Sequence, residues 1–355
     1  MEFEAIIGLE IHVEMKTKSK MFSDAPVTFG DLPNTNVSPV DMAFPGTLPT
    51  VNKQAVVNAI RVCNALHMSI DRELHFDRKN YFYSDLPKGY QITQQFRPIG
   101  SDGYLCIDTS NGKKKTGIER LHLEEDTCKQ LHSWDCSLLD YNRAGIPLIE
   151  IVSRPEMRSG EEAMKYVEQI RSIVTFLDVS DGKMEEGSLR CDVNISIREK
   201  GCDRFGTKVE IKNLNSIANV QKAIDYEFIR QVELVNNGQE VKQETRRFDE
   251  ASKTTVLMRE KTDSVDYKYF EEPNILPISL SEEFVKEAIE TSNELAESKL
   301  IKYKALGLSD YDSNQLISDK NISVYFDKSL LGGASPKLLA NWILGDIQSD
   351  RKSVV

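Results

Sequence analysis

Three side chains able to bind a divalent metal ion occupy alternate positions near the start of the chain: Glu10, His12 and Glu14. The other positions of this segment are apolar, at Ile7, Leu9, Ile11 and Val13. The alternation predicts a β-strand with one apolar and one polar face. Side chains two residues apart on a strand lie about 6.5 to 7 Å from each other, so neighbours can share one ion. A solvated strand face has the same pattern.

A single carboxylate interrupts the apolar segment 146–152, which reads Ile-Pro-Leu-Ile-Glu-Ile-Val. Burial of a charge is costly unless a cation or strong hydrogen-bond donors compensate it. Glu150 therefore requires a partner. A metal ion is one candidate, and a structural salt bridge, for example to Arg143, is the other.

Further acids follow His122 at the end of another alternating segment, Leu121-His122-Leu123-Glu124-Glu125-Asp126. Strict alternation groups His122, Glu124 and Asp126 on one face and turns Glu125 to the other. Which of the two adjacent glutamates joins a site therefore depends on the pleat or on a bulge.

A longer polar face is predicted for residues 183–197. Its apolar positions are Leu189, Cys191, Val193, Ile195 and Ile197, and its polar positions are Arg190, Asp192, Asn194 and Ser196. Residues 206–212 look like its antiparallel partner, with Lys208, Glu210 and Lys212 polar. Such a face suits a magnesium-phosphate site or a wet tunnel, although polar outward faces are also ordinary on antiparallel sheets.

Cations and aromatic residues interleave in segment 77–90, Asp-Arg-Lys-Asn-Tyr-Phe-Tyr-Ser-Asp-Leu-Pro-Lys-Gly-Tyr. This composition is typical of loops that hold nucleic acid or phosphate, and aromatic packing over a turn would look similar. Cationic stretches around Arg246 and Arg259 could hold ATP phosphates, although most charge runs are solvated surface.

These segments require a mixed framework. Residues 1–160 read mainly as strands and loops around one helix at 51–66. Helices are predicted at 159–177, which opens with the capping-box pattern Ser159-Gly160-Glu161-Glu162, and at 216–237, which stops at Gly238. Beyond Pro277 the pattern becomes helical, at 281–306 and 335–347. An α+β domain followed by helices, with a boundary near 280–295, is therefore expected.

Composition excludes several classes of protein. The 355 residues, 40% of them hydrophobic, suit two or three globular domains, and the net charge of −11 argues against coating nucleic acid through bulk charge. The first residues lack the basic region and the apolar run that are typical of a signal peptide, so none is expected. The sequence also contains no apolar run of membrane-spanning length, no CxxC pair, no P-loop and no GxGxxG turn. A cytosolic location, reduced cysteines, and no DNA or membrane partner are expected.

Taken together, these motifs closely resemble the GatB family, the B subunits of aspartyl/glutamyl-tRNA amidotransferases. The matching segments, in order from residue 8 to residue 270, are 8–13, 77–83, 121–126, 140–150, 183–196, 212–216, 244–247 and 266–270. So many ordered motifs make the resemblance highly specific.

The resemblance implies a cradle domain of the glutamine synthetase/guanido kinase type at 1–290, followed by the start of an all-helical domain at 291–355. It also implies ATP-dependent phosphorylation of the side-chain carboxylate of Glu-tRNA(Gln) or Asp-tRNA(Asn), and displacement of phosphate by ammonia. An A subunit would supply ammonia from glutamine through a tunnel, and a C subunit would wrap both. No nucleophilic cysteine and no Ser-Ser-Lys amidase signature is recognisable, so glutamine hydrolysis is expected on another chain.

Site residues follow from the same resemblance. The expected ligands of Mg²⁺, with Mn²⁺ as the alternative ion, are Glu10, His12, Glu125 and Glu150, with Glu124 in reserve. The expected catalytic residues are Lys79, Glu150, Glu186 and Asp192. The expected ATP contacts are Ser188, Arg190, Lys208, Arg246 and Arg259. Lys79, Lys88 and the face through Asp192 and Asn194 are candidates for the tunnel mouth or the acceptor site.

Three departures from the family pattern qualify these expectations. Ser84 stands where the family usually has proline, and Phe-Glu-Glu-Pro-Asn at 270–274 replaces Phe-Pro-Glu-Pro-Asp. The sequence stops before the tail that grips the tRNA body, and the tail is expected to be absent. Two alternatives stay open: a catalytically weak scaffold for the A and C subunits, and a free-standing glutamine synthetase-like ligase. The choice between Glu-tRNA and Asp-tRNA is also open.

Overall fold

The computed structural model describes residues 2–260 and 266–348. Its strands are β1 (Phe3–Glu14), β2 (Ser69–Ile70), β3 (Glu73–Leu74), β4 (Asp77–Asn80), β5 (Tyr90–Thr93), β6 (Gly100–Thr109), β7 (Gly112–Glu125), β8 (Lys129–His132), β9 (Ser137–Asp140), β10 (Pro147–Ser153), β11 (Leu189–Glu199), β12 (Val209–Lys212), β13 (Glu244–Asp249), β14 (Thr254–Glu260), β15 (Phe270–Glu271) and β16 (Ile278–Ser279). Its helices are α1 (Lys53–Ala65), α2 (Gly160–Phe176), α3 (Ile217–Asn236), α4 (Glu282–Glu290), α5 (Ala296–Ala305), α6 (Asp310–Ile317), α7 (Lys320–Leu330) and α8 (Pro336–Trp342), which continues into a π-helical turn (Ile343–Ile347).

The described residues form a nine-stranded sheet in the order β14-β13-β12-β11-β1-β10-β7-β6-β2. The β12–β13 pair is parallel, and every other neighbouring pair is antiparallel. The expected pairing of 189–197 with 206–212 is confirmed by the partners Val193 and Ile211. Smaller sheets join β15 to β4 and β5, β16 to β3, and β8 to β9.

Strand β1 lies near the centre of the sheet and shows the expected alternation. Its apolar residues Ile7, Leu9, Ile11 and Val13 are at most 1% exposed. They belong to one hydrophobic cluster with side chains of α1, α2 and α3, such as Ile60, Ile170 and Ile224. These helices therefore cover the apolar face, and Glu10, His12 and Glu14 occupy the opposite face.

The first three helices begin where the sequence predicts. The side chains of Asn52, Ser159 and Ser216 accept hydrogen bonds from the first free backbone amides. The capping box of α2 is only half formed, because the carboxylate of Glu162 accepts from the amide of Arg158 at 2.6 Å rather than from the amide of Ser159. Helix α3 ends before Gly238, whose φ of 72° is readily adopted by glycine.

The region after Pro277 is helical, but its divisions differ from the sequence prediction. The segment 281–306 contains two helices, α4 and α5, separated by residues 291–295. Helices α6 and α7 were not predicted, because each is short and buries few side chains, among them Leu316 and Phe326. Residues 335–347 form α8 and the π-helical turn, as predicted.

Two hydrophobic clusters are present in the described part of the chain. The larger one extends from the sheet to Val285 and Ala288 of α4. The smaller one consists of Tyr303, Leu308, Leu316, Phe326, Ala340 and Ile343. The division of the chain at residue 290 stays a prediction, and residues 349–355 of the expected helical domain lie outside the described residues.

Two further expectations concern thiols and membranes. The cysteines at 63, 106, 128, 136, 191 and 202 are all free, as expected. Among the described residues, no helix combines the length and the apolar character needed to span a membrane.

Candidate active site

Four functional side chains form one row across the polar face of the sheet. In β1, His12 is the Cα partner of Arg190 in β11 on one side and of Glu150 in β10 on the other. Glu150 is in turn the partner of His122 in β7. Because side chains alternate along every strand, these four residues project from the same face.

Carboxylates and imidazoles meet at the centre of this row. The Nε2 atoms of His12 and His122 lie 3.5 and 3.0 Å from Oε2 of Glu150. Both also lie 3.5 Å from a carboxylate oxygen of Glu124, which is two residues beyond His122 in β7. The structure therefore brings together two histidines and two glutamates from three neighbouring strands.

The pKa values of this group reflect mutual compensation. Burial acts to raise the pKa of Glu150, but the imidazoles of His122 and His12 outweigh burial and hold that pKa well below its usual range. Burial acts to lower the pKa of His12, but Glu150 and Glu124 raise it to about 9. The pKa of His122 is raised for the same reason. The imidazoles and the buried carboxylates thus stabilise each other's charged forms.

The donor set fits a divalent metal ion. Ligand atoms of His12, Glu124 and Glu150 all lie within 4.8 Å of one another. Carboxylate oxygens with one imidazole nitrogen suit Mg²⁺ or Mn²⁺. An ion at this position would replace the proton on His12 as the compensating positive charge.

Glu125 lies outside this group. It follows Glu124 directly in β7, so its side chain points the other way. Its Oε1 accepts a hydrogen bond from Nζ of Lys88 and another, at 3.0 Å, from the amide of Ile92. The structure thus places Glu124, the reserve ligand of the sequence analysis, beside His12 and Glu150.

Glu10 belongs to a second acidic group, with Asp192 of β11 and Glu210 of β12. Its Oε1 accepts from Nδ2 of Asn194 at 2.8 Å. Nζ of Lys212 donates to Asp192 and lies 3.3 Å from Oε1 of Glu210. Burial, followed by the charge of Glu150, raises the pKa of Glu10. Ligand atoms of the three carboxylates also lie within 4.8 Å of one another.

A cavity of about 500 Å³ opens in front of His12 and Glu124, and three cationic side chains line it: Lys79, Arg190 and Arg259. Burial acts to lower the pKa of Lys79, but Glu124 and other nearby groups leave it above its usual value. The Lys79 ammonium lies 4.8 Å from the ring centroid of Tyr267 and has no hydrogen-bond acceptor among residues 2–260 and 266–348.

A pair of carboxyl groups lies at the edge of this cavity. Asp126 lines the cavity, the carboxyl group of Glu14 faces that of Asp126, and Arg190 donates to Asp126 at 2.8 Å. Burial, together with the charge of Asp126, raises the pKa of Glu14 to about 9. Arg143 also faces Asp126, at 3.7 Å, so it is not the salt-bridge partner of Glu150.

The remaining expected residues lie elsewhere. Ser188 and Glu186 line a separate cavity of about 1000 Å³, where Ser188 accepts from the amide of Lys183 at 2.9 Å and Glu186 pairs with the Lys183 ammonium at 2.7 Å. Lys208 and Glu10 line a third cavity, of about 270 Å³.

Arg246 is turned away from the candidate site. Its guanidinium donates to Glu244 at 2.7 Å and lies 3.6 Å from Glu227 of α3. Both carboxylates are buried. Because these contacts occupy Arg246 within the protein, its position is that of a structural ion pair rather than of a group facing the 500 Å³ cavity.

His122, Asp126 and Glu14 were not among the expected site residues. The signal for His122 and Asp126 was the alternation His122-Leu123-Glu124-Glu125-Asp126, which groups them with Glu124. The signal for Glu14 was its place on the same strand face as His12. Neither pattern shows which strands pair with each other. The pairing of β1 with β10 and of β10 with β7 is what brings these side chains together.

The GatB/GatE catalytic domain matches residues 5–286 of the chain. The chain belongs to the GatB/GatE family. It is 53% identical over 352 residues to the B subunit of the aspartyl/glutamyl-tRNA(Asn/Gln) amidotransferase from Mesoplasma florum, and the match covers 98% of this chain and 73% of that protein. The corresponding B subunits from Mycoplasma capricolum and Bacillus cereus are 53% and 51% identical over 349 residues, with the same coverage.

The GatB/GatE match begins within β1, contains the rest of the nine-stranded sheet together with α1, α2 and α3, and ends within α4. Both acidic groups and the cavity cations Lys79, Arg190 and Arg259 therefore lie in the part of the chain that defines the GatB/GatE family.

Proposed function

We propose that this chain is the component of a glutamine-dependent tRNA amidotransferase that activates the carboxylate and forms the amide. ATP would phosphorylate the side-chain carboxylate of Glu-tRNA(Gln) or Asp-tRNA(Asn), releasing ADP. Ammonia would then attack the acyl carbon and displace phosphate. The observation that carries this proposal is the group of His12, Glu124 and Glu150 at a cavity lined by Lys79, Arg190 and Arg259. The names of the relatives support the same reaction class.

The residues suit phosphoryl transfer to a carboxylate, in which ATP and the acceptor both carry negative charge. His12, Glu124 and Glu150 would hold Mg²⁺, or alternatively Mn²⁺, which supplies charge neutralisation between the phosphates and the acceptor. Lys79, whose ammonium has no acceptor in the described part of the chain, is placed to bind a phosphate oxygen. Arg190 and Arg259 add positive charge to the same cavity.

The second acidic group offers a place for another cation. Glu10, Asp192 and Glu210 lie beside the first group on the polar face. The negative charge of Glu150 contributes to the raised pKa of Glu10. Lys212 balances Asp192 and Glu210. In this proposal the group binds a second divalent ion that accompanies ATP, and Asp192 acts as its ligand.

The architecture and partners are part of the same proposal. A large, mostly antiparallel sheet with helices on one face and functional residues on the other suits a cradle of the glutamine synthetase/guanido kinase type. Ammonia would come from an A subunit, and a C subunit would complete the heterotrimer in the cytoplasm. The roles expected for Glu186, Ser188 and Lys208 stay predictions, because these residues line other cavities.

The test is phosphate release from labelled ATP by the chain reconstituted with A and C subunits. Release should require Glu-tRNA(Gln) or Asp-tRNA(Asn) and should fall at least about a hundredfold in the Glu150→Gln variant. Comparison of the two tRNAs identifies the substrate. Release with free glutamate and no tRNA would instead identify a free-standing ligase, and no release under any condition would identify a scaffold.

A further inference from the structure

Two imidazoles lie close enough to the candidate metal group to act as ligands. Nε2 of His12 lies 3.5 Å from carboxylate oxygens of both Glu124 and Glu150. Nε2 of His122 lies 3.5 Å from Glu124 and 3.0 Å from Glu150. Distance alone therefore does not decide which ring binds an ion. The partner of the other ring nitrogen decides it, because that partner determines which nitrogen carries the hydrogen.

A guanidinium faces the other ring nitrogen of His122. Arg120 precedes His122 by two residues in β7, and its Nη2 lies 3.5 Å from Nδ1 of the imidazole. An arginine side chain has five N–H donors and no acceptor, so a hydrogen on Nδ1 would point at a donor. The neutral ring therefore carries its hydrogen on Nε2, as does the protonated ring. In both forms Nε2 donates to Glu150 and has no lone pair for a metal ion.

Backbone carbonyls hold Arg120 in this position. Its Nη2 donates to the carbonyl of Gln94 at 3.1 Å, and its Nη1 donates to the carbonyl of Gln95 at 3.3 Å. Gln94 is fully buried, and its Oε1 accepts from the amide of Leu123 at 3.0 Å. The carboxylate of Asp77, which is also buried, accepts from the amide of Gln95 at 2.7 Å. These contacts fix the guanidinium beside the imidazole before any ion binds.

The imidazole of His12 is not held in this way. Among residues 2–260 and 266–348, no group hydrogen-bonds to its Nδ1, and its printed contacts are those of Nε2 with the two glutamates. Its side chain is 24% exposed and lines the 500 Å³ cavity, whereas that of His122 is 6% exposed. His12 can therefore carry its hydrogen on Nδ1 and present the lone pair of Nε2 to an ion. In His122 the same tautomer would oppose Arg120.

We propose that His122 is a positioning residue, which Arg120 holds as a hydrogen-bond donor to Glu150, and that His12 supplies the imidazole ligand of the metal group. The hydrogen bond from Nε2 of His122 fixes the direction in which the Glu150 carboxylate meets the ion. Groups that orient metal ligands in this way contribute about 10- to 100-fold to metal affinity without contacting the metal. This inference rests on the proposed function, because it concerns the metal group used there.

The test is the number of imidazole nitrogens bound to Mn²⁺, measured by electron-nuclear double resonance. Only the histidines of this chain are labelled with ¹⁵N, and the chain is studied in complex with A and C subunits. The signal then comes from the five imidazoles of this chain and from no other nitrogen. A single coordinated ¹⁵N is expected in the unsubstituted chain and in His122→Gln, and none in His12→Gln. The result for the unsubstituted chain does not depend on how a variant folds.

Affinity for Mn²⁺ is the second readout. His122→Leu removes the donor to Glu150 and should lower this affinity at least about tenfold. His122→Gln, whose side-chain amide can replace the donor at Nε2, should stay within about threefold of the unsubstituted chain. Arg120→Leu leaves Nδ1 of His122 free to take the hydrogen, so a second coordinated ¹⁵N should appear. His132→Gln is the matched control, because His132 is exposed in β8, and it should change neither readout.

Several outcomes would overturn the inference. Two coordinated ¹⁵N nuclei in the unsubstituted chain would make His122 a ligand, and none would exclude both imidazoles. Unchanged affinity in His122→Leu would show that the ring does not orient Glu150, and a single coordinated ¹⁵N in Arg120→Leu would show that the guanidinium does not select the tautomer. If any of these occurs while the unsubstituted complex shows tRNA-dependent phosphate release, the role of His122 fails and the proposed function stands. Absence of that release would reject the proposed function by itself.

Discussion

His122 makes the shortest contact to Glu150, with its Nε2 atom 3.0 Å from Oε2 of the carboxylate. The two residues are Cα partners in the neighbouring strands β7 and β10, and the side chain of His122 is 6% exposed. This contact also fixes the orientation of β7 relative to Glu150. The pleat of β7 then points Glu124, and not Glu125, toward the same group.

We predict from this geometry that the two adjacent glutamates differ in metal binding. Glu124→Gln should lower the affinity for Mn²⁺ by at least about tenfold, because it removes one charged ligand atom from the group. Glu125→Gln should change that affinity by less than about threefold, because its carboxylate contacts Lys88 and Ile92. Titration followed by the electron paramagnetic resonance of free Mn²⁺ measures both. A larger effect of Glu125→Gln would contradict the placement.

The pH dependence of metal binding is a second prediction. The pKa of His12 is raised to about 9, so at neutral pH the imidazole is protonated and must lose its proton to bind a metal ion. A proton and the ion therefore compete. The affinity for Mn²⁺ should rise about tenfold per pH unit from pH 7 and should level off near pH 9.

His12→Gln serves as the control for this slope. Glutamine does not titrate, so the variant should bind Mn²⁺ more weakly and with a smaller dependence on pH. Affinity of the unsubstituted chain that stays constant between pH 7 and 8.5 would show that the ion does not displace a proton from His12.

The sequence was sufficient where side-chain periodicity is local. Alternation placed Glu10, His12 and Glu14 on one face of β1, a capping-box pattern marked the start of α2, and Gly238 marked the end of α3. It was insufficient where the outcome depends on pairing between distant segments. The position of His122 opposite Glu150, and of Tyr267 beside Tyr81, arises only when the strands pair.

Cation runs illustrate the same difficulty. Arg246 and Arg259 look alike in the sequence, but Arg246 is paired with Glu227 and Glu244, and Arg259 lines the candidate cavity. One partner of Arg246 lies on α3, which precedes β13 by several residues. The direction in which the Arg246 side chain leaves β13 determines whether it forms a structural ion pair or contacts a ligand. The number and spacing of charges in the sequence do not reveal that direction.

A third prediction concerns the stability of the Glu14 and Asp126 pair. The folded state holds a proton on Glu14 up to a pKa of about 9, whereas the unfolded chain releases it near pH 4.5. The folded state thus binds more protons in this range, and stability falls as the pH rises from 4.5 to 9. Glu14→Gln keeps a hydrogen-bond donor, the side-chain amide, toward Asp126. Because this amide does not titrate, the variant should not lose stability as the pH rises.

The variant should therefore gain about 1 to 3 kcal/mol in free energy of unfolding at pH 7. The gain should disappear near pH 4.5 and should be larger at pH 8 than at pH 6. Urea unfolding at these pH values measures it. A destabilised variant at pH 8 would show that Glu14 is ionised in the folded protein.

The final prediction concerns the ion pair that joins β4 to the segment directly after β15. Arg78 binds Glu272 through two hydrogen bonds, from Nε at 2.6 Å and from Nη2 at 3.0 Å. The Glu272 side chain is fully buried, and Arg78 also lies over the ring of Tyr90, with 4.1 Å to its centroid. Removal of one partner would leave a buried charge without compensation.

Arg78→Gln should therefore lower the free energy of unfolding by about 3 to 5 kcal/mol. Replacing both partners, with Arg78→Met and Glu272→Leu, should recover most of this loss, because no buried charge then remains. Lys200→Gln is the contrasting control. Its partner Glu2 is 75% exposed, and surface ion pairs contribute about 1 kcal/mol or less. If Arg78→Gln and Lys200→Gln have similar effects in urea unfolding, the buried pair does not hold β15 against β4.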